Sequence, residues 1–291
     1  MFFMPGAAKK KIRKPQRQPR PGFEKRMHPH PIFDYPNKIG SNKLKNKIAL
    51  ITGGDSGIGK ATAILFAKEG AAIAISYLNE HKDAKDTKKI IEEQYNGRCL
   101  LLPGDIGIEK NCKSIIKKTI KEYGRIDILV NNAAIHYQHK KLEDITTAQM
   151  LKTFRSNIFS YIWTTQNALP FLKKGSCVIN TASVTAYRGS PALIDYASTK
   201  GAIVAFTRSL SSNLIKKGIR VNGVAPGPIW TPLIPSSLPA NKTAQHGSAA
   251  PMQRAGEPAE VAPSYLFLAS DDASYMSGQF LHPNGGEVVN G

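Results

Sequence analysis

Tyr196 and Lys200 stand four residues apart in Tyr196-Ala197-Ser198-Thr199-Lys200, within a stretch of helical spacing near 191–216. Four residues is about one helical turn, so the phenol and the ammonium share a face. A lysine cation beside a phenol favours the phenolate, which lets a group with an ordinary pKa of about 10 exchange a proton near neutral pH. Thirteen residues upstream, Ser183 closes a β-branched run, and Asn157 lies in a helical stretch further back. Taken singly, each has a plain reading: a helix face, a strand-end cap, a satisfied polar group. Taken together, Tyr196 and Lys200 make a candidate proton-transfer pair, with Ser183 and Asn157 as further polar candidates.

These side chains need elements that bring them together, and the chain supplies an alternation. Strand candidates are Ile48–Thr52, Ala72–Tyr77, Arg98–Leu102, Ile126–Val130, Cys177–Thr181, Arg220–Val224 and Gln279–His282. Helical stretches fall between them near 57–69, 81–95, 109–123, 146–172, 191–216 and 258–270. Apolar strands alternating with helices predict a parallel sheet covered on both faces, because each parallel crossover needs a helix to return the chain. The expected fold is a single doubly wound α/β Rossmann-type domain over 47–291, with a parallel sheet of about seven strands and no internal repeat.

The first strand runs straight into Thr52-Gly53-Gly54-Asp55-Ser56-Gly57-Ile58-Gly59, after which a helix opens. Glycines at such a turn let backbone N–H groups and the positive end of a helix approach a pyrophosphate. A plain strand-to-helix turn is the alternative, and the position after the first strand argues against it. Lys60 is followed by Ala61, so the Walker pattern of a nucleoside triphosphatase is absent.

On these residues the chain resembles the short-chain dehydrogenase/reductase family, whose cofactor turn reads T-G-x-x-x-G-I-G. The resemblance implies a nicotinamide dinucleotide held by Gly53, Asp55, Ser56, Gly57, Ile58 and Gly59, with Asp105 and Ile106 at the adenine edge. Tyr77 and Leu78 end the second strand with no acid before Glu80. An acid there would bind the ribose hydroxyls and repel a 2′-phosphate, so NADP is favoured over NAD, although no arginine stands at the usual positions to bind that phosphate. Asn131-Asn132-Ala133-Ala134 is similar to the family's N-N-A-G turn beside the nicotinamide ribose, with Ala134 in place of glycine. Pro226, Gly227, Ile229 and Thr231 fall in a segment like the one that closes over the carboxamide. The resemblance further implies that Tyr196 is the acid/base, that Ser183 holds the substrate oxygen, that Lys200 donates to the nicotinamide ribose and that Asn157 anchors a water leading to Lys200. The Ser-, Pro- and Ala-rich stretch 234–253 suits a mobile lid, and His136, Tyr137 and Gln138 suit a pocket wall.

The net charge of +19 suggests a nucleic-acid binder until it is located. Residues 1–30 hold nine Lys or Arg against one acid, Glu24, in a segment punctuated by Pro15, Pro19 and Pro21. Residues 1–46 therefore read as a basic, proline-rich arm, disordered in its first third and a strap thereafter. Those prolines break the amphipathic helix of a transit peptide, and Met1–Met4 is too short for a secretory apolar segment. No apolar run reaches the roughly 20 residues of a membrane span. Cys99, Cys112 and Cys177 form neither a C-x-x-C pair nor a His-bearing cluster, which predicts no metal site and a reduced, cytoplasmic compartment.

Pro21-Gly22, Glu24, Met27, Pro29, Pro31, Gly40-Ser41 and the tail Leu281–Gly291 carry the resemblance into the arm and toward the bacterial general-stress-protein-39-type branch, described as uncharacterised oxidoreductases or aldehyde reductases. It implies a homotetramer acting on a small aldehyde or ketone, or in reverse on an alcohol. The alternative is a non-catalytic dinucleotide-binding protein that uses its arm on an anionic surface or nucleic acid; zinc spacing, an RNA-binding aromatic signature and a recognition helix are all missing from the sequence. An epimerase or dehydratase with the same Tyr-Lys pair would need a larger substrate domain than the roughly 60 residues after Thr231 allow.

Overall fold

The computed structural model describes residues 10–289. Seven strands, β1 (Ile48–Thr52), β2 (Ala72–Tyr77), β3 (Cys99–Pro103), β4 (Ile128–Asn131), β5 (Cys177–Thr181), β6 (Arg220–Val224) and β7 (Phe280–Leu281), form one sheet in the order β3-β2-β1-β4-β5-β6-β7. Every pairing is parallel. All residues of β1, β2, β4 and β5 are buried, as a sheet covered on both faces requires. Alternate residues feed two cores: Ile51, Ile73 and Ile75 pack with Phe66 and Tyr265 on one face, and Leu50, Leu129 and Val178 with Ile115 and Leu214 on the other. Each such fully buried side chain contributes roughly 1.5–3 kcal/mol relative to exposure.

The helices are α1 (Gly57–Lys68), α2 (His81–Tyr95), α3 (Glu109–Tyr123), α4 (Thr147–Phe154), α5 (Ser160–Ala168), α6 (Thr185–Arg188), α7 (Ile194–Leu214), α8 (Leu233–Ser237), α9 (Ala240–Ala244) and α10 (Pro258–Ala269). The chain leaves β1 toward β2 on one side, while β4 pairs with the other side of β1. This reversal falls between β1 and β4, and the carboxyl ends at such a reversal are where doubly wound sheets hold ligands.

The stretch expected as one helix over 146–172 is divided. A π-helical segment at Arg155–Phe159 separates α4 from α5, and a 3₁₀ turn at Leu169–Phe171 follows. The widened turn lies where the Asn157 side chain accepts from Ile135 N at 2.8 Å and donates to Ile135 O at 2.9 Å, tying the helix to the loop after β4. Helix α7 begins at Ile194 rather than 191, after Gly189 with φ +71° and Pro191.

Residues 10–46 run along the body. Ile12 N and Arg13 N donate to Ala244 O at 2.9 and 3.2 Å, Gln18 N to Pro235 O at 2.8 Å, and Trp230 Nε1 to Pro29 O at 2.8 Å. Met27 is fully buried among Trp230, Ile234, Leu238 and Ala255. The disorder expected over the arm's first third concerns residues 1–9, which lie outside the described residues, and residues 10–15, which lie in the part just described. The expected lid at 234–253 carries α8 and α9, and its Thr243 and Ala244 are buried where the arm crosses. Its short helices escaped the sequence reading because each spans little more than a turn.

Candidate active site

Ser183 stands two residues beyond β5, and Tyr196 and Lys200 lie in the first two turns of α7. Lys200 is 1% exposed, and its ammonium donates to Thr181 O at 2.7 Å while lying 5.5 Å from the Tyr196 ring and 5.7 Å from that of Tyr161. Burial pulls Lys200 down to about 7, because the charged form loses its hydration. Burial pushes the Tyr196 phenol up to about 12, and hydrogen bonding from Ser183 opposes that shift. The sequence reading expected the lysine to acidify the phenol. The ammonium is directed instead at a backbone carbonyl, and desolvation moves both groups toward their neutral forms.

Asn157 is fully buried, and beyond its bonds to Ile135 it donates to Thr199 Oγ1 at 3.2 Å. Its side chain is thus occupied in linking α4–α5, the loop after β4 and α7. Asp195, buried beside Tyr196, accepts from Thr153 Oγ1 at 2.7 Å, Gln149 Nε2 at 3.0 Å and Tyr196 N at 2.8 Å, which anchors the start of α7.

The glycine turn has the shape its residues suggest. A Cβ on Gly59 would stand 1.9 Å from Gly53 O, and Gly53 and Gly57 have φ of +65° and +54°. Asn132 holds the turn, donating from Nδ2 to Thr52 O at 3.0 Å, while Thr52 Oγ1 accepts from Asn132 N at 2.9 Å and Ala133 N at 3.2 Å. Gly53, Ser56 and Ile58 are partly exposed at the turn, whereas Gly57 and Gly59 are buried within it. This is a backbone cradle at a helix N-terminus, which fits a pyrophosphate.

Asp55 lies within the turn. It is buried, and burial together with Glu80 pushes its carboxyl up to about 7. Glu80 is buried too and accepts from Asn79 N at 2.8 Å, so the end of β2 presents exposed Leu78 and Asn79 rather than a carboxylate. Tyr77 is buried and pairs with His81 Nδ1 at 3.0 Å. Exposed Asp105 accepts from Gly107 N at 2.8 Å, and Ile106 is buried in the core. From the segment after β6, Thr231 approaches the turn: its Cγ2 lies 3.0 Å from where a Gly57 Cβ would be. Pro226 accepts from Val184 N, Gly227 packs against Asn284, and Ile229 is buried in a bridge with Gly256.

The pocket wall brings in residues that the sequence reading used only in part. The His136 ring lies 5.2 Å from that of Tyr196, and its Nε2 lies 3.3 Å from Ser237 Oγ in α8. Burial and the nearby cations Arg20 and Lys200 hold His136 neutral, with a pKa of about 3. Thr181, Tyr161, Thr199 and Ser237 were not picked out, since a hydroxyl in a strand or helix carries no spacing signal. Glu24, from the arm, was not picked out either: it pairs with Lys60 and accepts from Gly57 N at 3.4 Å. Among the described residues no group of three or more His, Cys, Asp or Glu could hold a metal ion, and no helix is long and apolar enough to cross a membrane.

A glycine turn after β1 and a Ser-Tyr-Lys set after β5, on a sheet whose order reverses at β1, define a doubly wound protein of the α/β class. The family model described as enoyl-(acyl carrier protein) reductase matches residues 53–287. The chain belongs to the short-chain dehydrogenase/reductase family and is an NAD(P)-dependent oxidoreductase of that family. It is 52% identical to General stress protein 39 of Bacillus subtilis, covering 92% of this chain and 94% of that one. It is 50% identical to the chloroplastic NADPH-dependent aldehyde reductase 1 of Arabidopsis thaliana, covering 95% and 98%. Among solved structures, a short-chain dehydrogenase of Burkholderia cenocepacia in complex with NADP superposes with a TM-score of 0.78 at 31% identity, over 84% of this chain and 98% of that chain.

Proposed function

We propose that the protein reduces a small aldehyde or ketone with NADPH, and in reverse oxidises the alcohol, with Tyr196 as the acid/base. The observation that carries this reading is the convergence of the Tyr196 phenol, the Ser183 hydroxyl and the buried Lys200 ammonium beside the cradle at the C-terminal edge of the sheet. The dinucleotide supplies the hydride donor or acceptor when bound. Gly53, Ser56, Gly57, Ile58 and Gly59 would hold its pyrophosphate, Asp105 and Ile106 its adenine edge, and Asn132, Ala133 and Thr231 its nicotinamide half. The relative named for NADPH, the NADP-bound neighbour and the inward-turned Glu80 together favour the 2′-phosphorylated form.

Within the chain, Ser183 orients the substrate oxygen and stabilises charge on it, and Tyr196 gives its Oη proton to that oxygen in reduction. Lys200, fixed by its bond to Thr181 O, donates toward the ribose hydroxyls. Asn157 stabilises the widened turn that keeps α7 against the loop after β4. Held near 12 by burial, Tyr196 is a proton donor at neutral pH, which suits it to reduction. Tyr196→Phe should lower kcat by at least about a thousandfold while NADPH binding, followed by fluorescence titration, stays within a few-fold. An unchanged kcat would remove Tyr196 from the chemistry, and a protein that oxidises NADPH with no member of a broad aldehyde and ketone panel would overturn the reading as a whole.

A further inference from the structure

The arm brings a cation to the loop after β4 that packs on Tyr196. Arg20 lays its guanidinium over the Tyr137 ring, 3.8 Å from the centroid. Tyr137 directly follows His136, whose ring packs on Tyr196. Arg20 is exposed, and among the described residues it makes no salt bridge and no hydrogen bond from its side chain. The other arm cations reaching the body have partners: Arg13 is near Glu257 and Lys25 pairs with Asp86.

Arg20 is held in place from both sides. On one side Gln18 N donates to Pro235 O at 2.8 Å, and Gln18 Oε1 accepts from Phe23 N at 2.8 Å, closing the chain into a loop around Arg20. On the other, Gly22 at φ +98° presses so close to α8 that a Cβ would stand 2.6 Å from Pro232 O, and Glu24 then enters its pair with Lys60. A ring stacked on one face leaves the guanidinium edge free for in-plane donation, the geometry by which arginine binds a carboxylate or phosphate. Arg17 adds charge next to it, and Lys242 on α9 lies 3.5 Å from Gln138, the residue after Tyr137. His136, held neutral, contributes no competing charge.

We propose that Arg20 is a specificity-determining residue that selects carbonyl substrates carrying an oxyanion, a carboxylate or a phosphate, at the end remote from the reacting carbon. The proposal rests on the reductase reading above and names the substrate class of that same pocket. The arm is then part of the substrate site, which is its reason for being pinned to α8 and to the start of α1.

The test uses the full chain and matched pairs: butanal against 4-oxobutanoate, and glyceraldehyde against its 3-phosphate. The wild-type protein should favour the anionic member of at least one pair by about tenfold in kcat/KM, and Arg20→Gln should reduce that anionic-to-neutral ratio about tenfold through KM. Carboxylate alone, phosphate alone or both showing the preference identifies the oxyanion. High salt should shrink the ratio in the wild type and leave that of Arg20→Gln little changed. A wild-type ratio near one, or a ratio unchanged within twofold in Arg20→Gln, overturns the proposal. If no carbonyl compound is turned over, the reductase reading fails on its own account. Binding of butanoate by calorimetry then decides for Arg20: loss in Arg20→Gln sustains the oxyanion site, and equal binding refutes it.

Discussion

The pair between Glu24 of the arm and Lys60 of α1 permits a quantitative prediction. The two side chains are 9% and 5% exposed. Besides each other, the carboxylate meets Gly57 N at 3.4 Å, and the ammonium meets the Phe33 ring at 3.9 Å. Desolvation raises the Glu24 pKa despite the facing lysine, so burial outweighs the attraction for that group. The pair should therefore add little relative to an apolar replacement, while either half alone should be strongly unfavourable. Glu24→Met strands the Lys60 charge and should cost about 3–5 kcal/mol. Loss of the carboxylate at the N-terminus of α1 should add about 0.3–1 kcal/mol. For a chain of this size that corresponds to a fall in Tm of roughly 6 °C or more. The double variant Glu24→Met/Lys60→Met should return to within about 1–2 kcal/mol of the wild type. Urea unfolding of the wild type, both singles and the double closes the cycle and gives the coupling. A single variant within about 1 kcal/mol of wild type, or a double equal to the sum of the singles, would refute the claim that arm and domain are joined by a desolvated ion pair.

Three further outcomes follow from the same geometry. Gly59→Ala forces a Cβ to within 1.9 Å of Gly53 O, so the cradle must open and NADPH affinity should drop at least tenfold in a fluorescence titration. Asp55, with a folded-state pKa of about 7 against an ordinary 3.8, keeps its proton in the native state where the unfolded chain has lost it. Its contribution to stability is complete below about pH 4 and is lost as pH rises toward 7, at up to about 1.4 kcal/mol per pH unit. Asp55→Asn should accordingly gain stability relative to wild type between pH 5 and 8, measured by denaturant midpoints, and parallel pH profiles would contradict the assignment. Cys99, Cys112 and Cys177 are buried free thiols, with Cys99 pushed up to about 12 and Cys177 to about 11. A thiol reagent at pH 8 should label none of them in the folded protein within minutes and all three in denaturant.

The parallel sheet was readable because its determinants are local: β-branched runs of five or six residues, glycine at the turn after β1, and helical periodicity between. Six of the seven strands begin within a residue of where the pattern puts them, and β4 begins two residues later, because the turn at Gly124 leads through Ile126-Asp127 before pairing with β1 starts. The four-residue spacing of Tyr196 and Lys200 put both on one helix, and both lie in the first two turns of α7, whereas Ser183 lies off that helix, two residues beyond β5, and was singled out by resemblance rather than by spacing. Two properties of the site were not readable. The division of 146–172 depends on Asn157 bonding Ile135, 22 residues away, and helical periodicity is blind to that. The opposed shifts of Tyr196 and Lys200 depend on how completely the fold desolvates each, which is set by Thr181, Tyr161 and the sheet edge rather than by the four-residue spacing.

The arm shows the same limit in its charges. Counted along the sequence, its cations look like a patch offered to a polyanion. In the fold, Arg13 stacks on Trp230 and faces Glu257, Lys25 pairs with Asp86, Arg26 covers Phe23, and Arg20 covers Tyr137. Four of the basic residues thus meet a ring or an acid of the chain itself, in contacts separated by up to 244 residues. A cation over a ring loses little by staying partly hydrated, so such contacts fasten a proline-rich segment without the periodic apolar face that a helix or strand would need. The positive charge is therefore a fastening as well as a field. Where a guanidinium is fastened by its face and left free at its edge, as at Arg20, it remains available to a ligand.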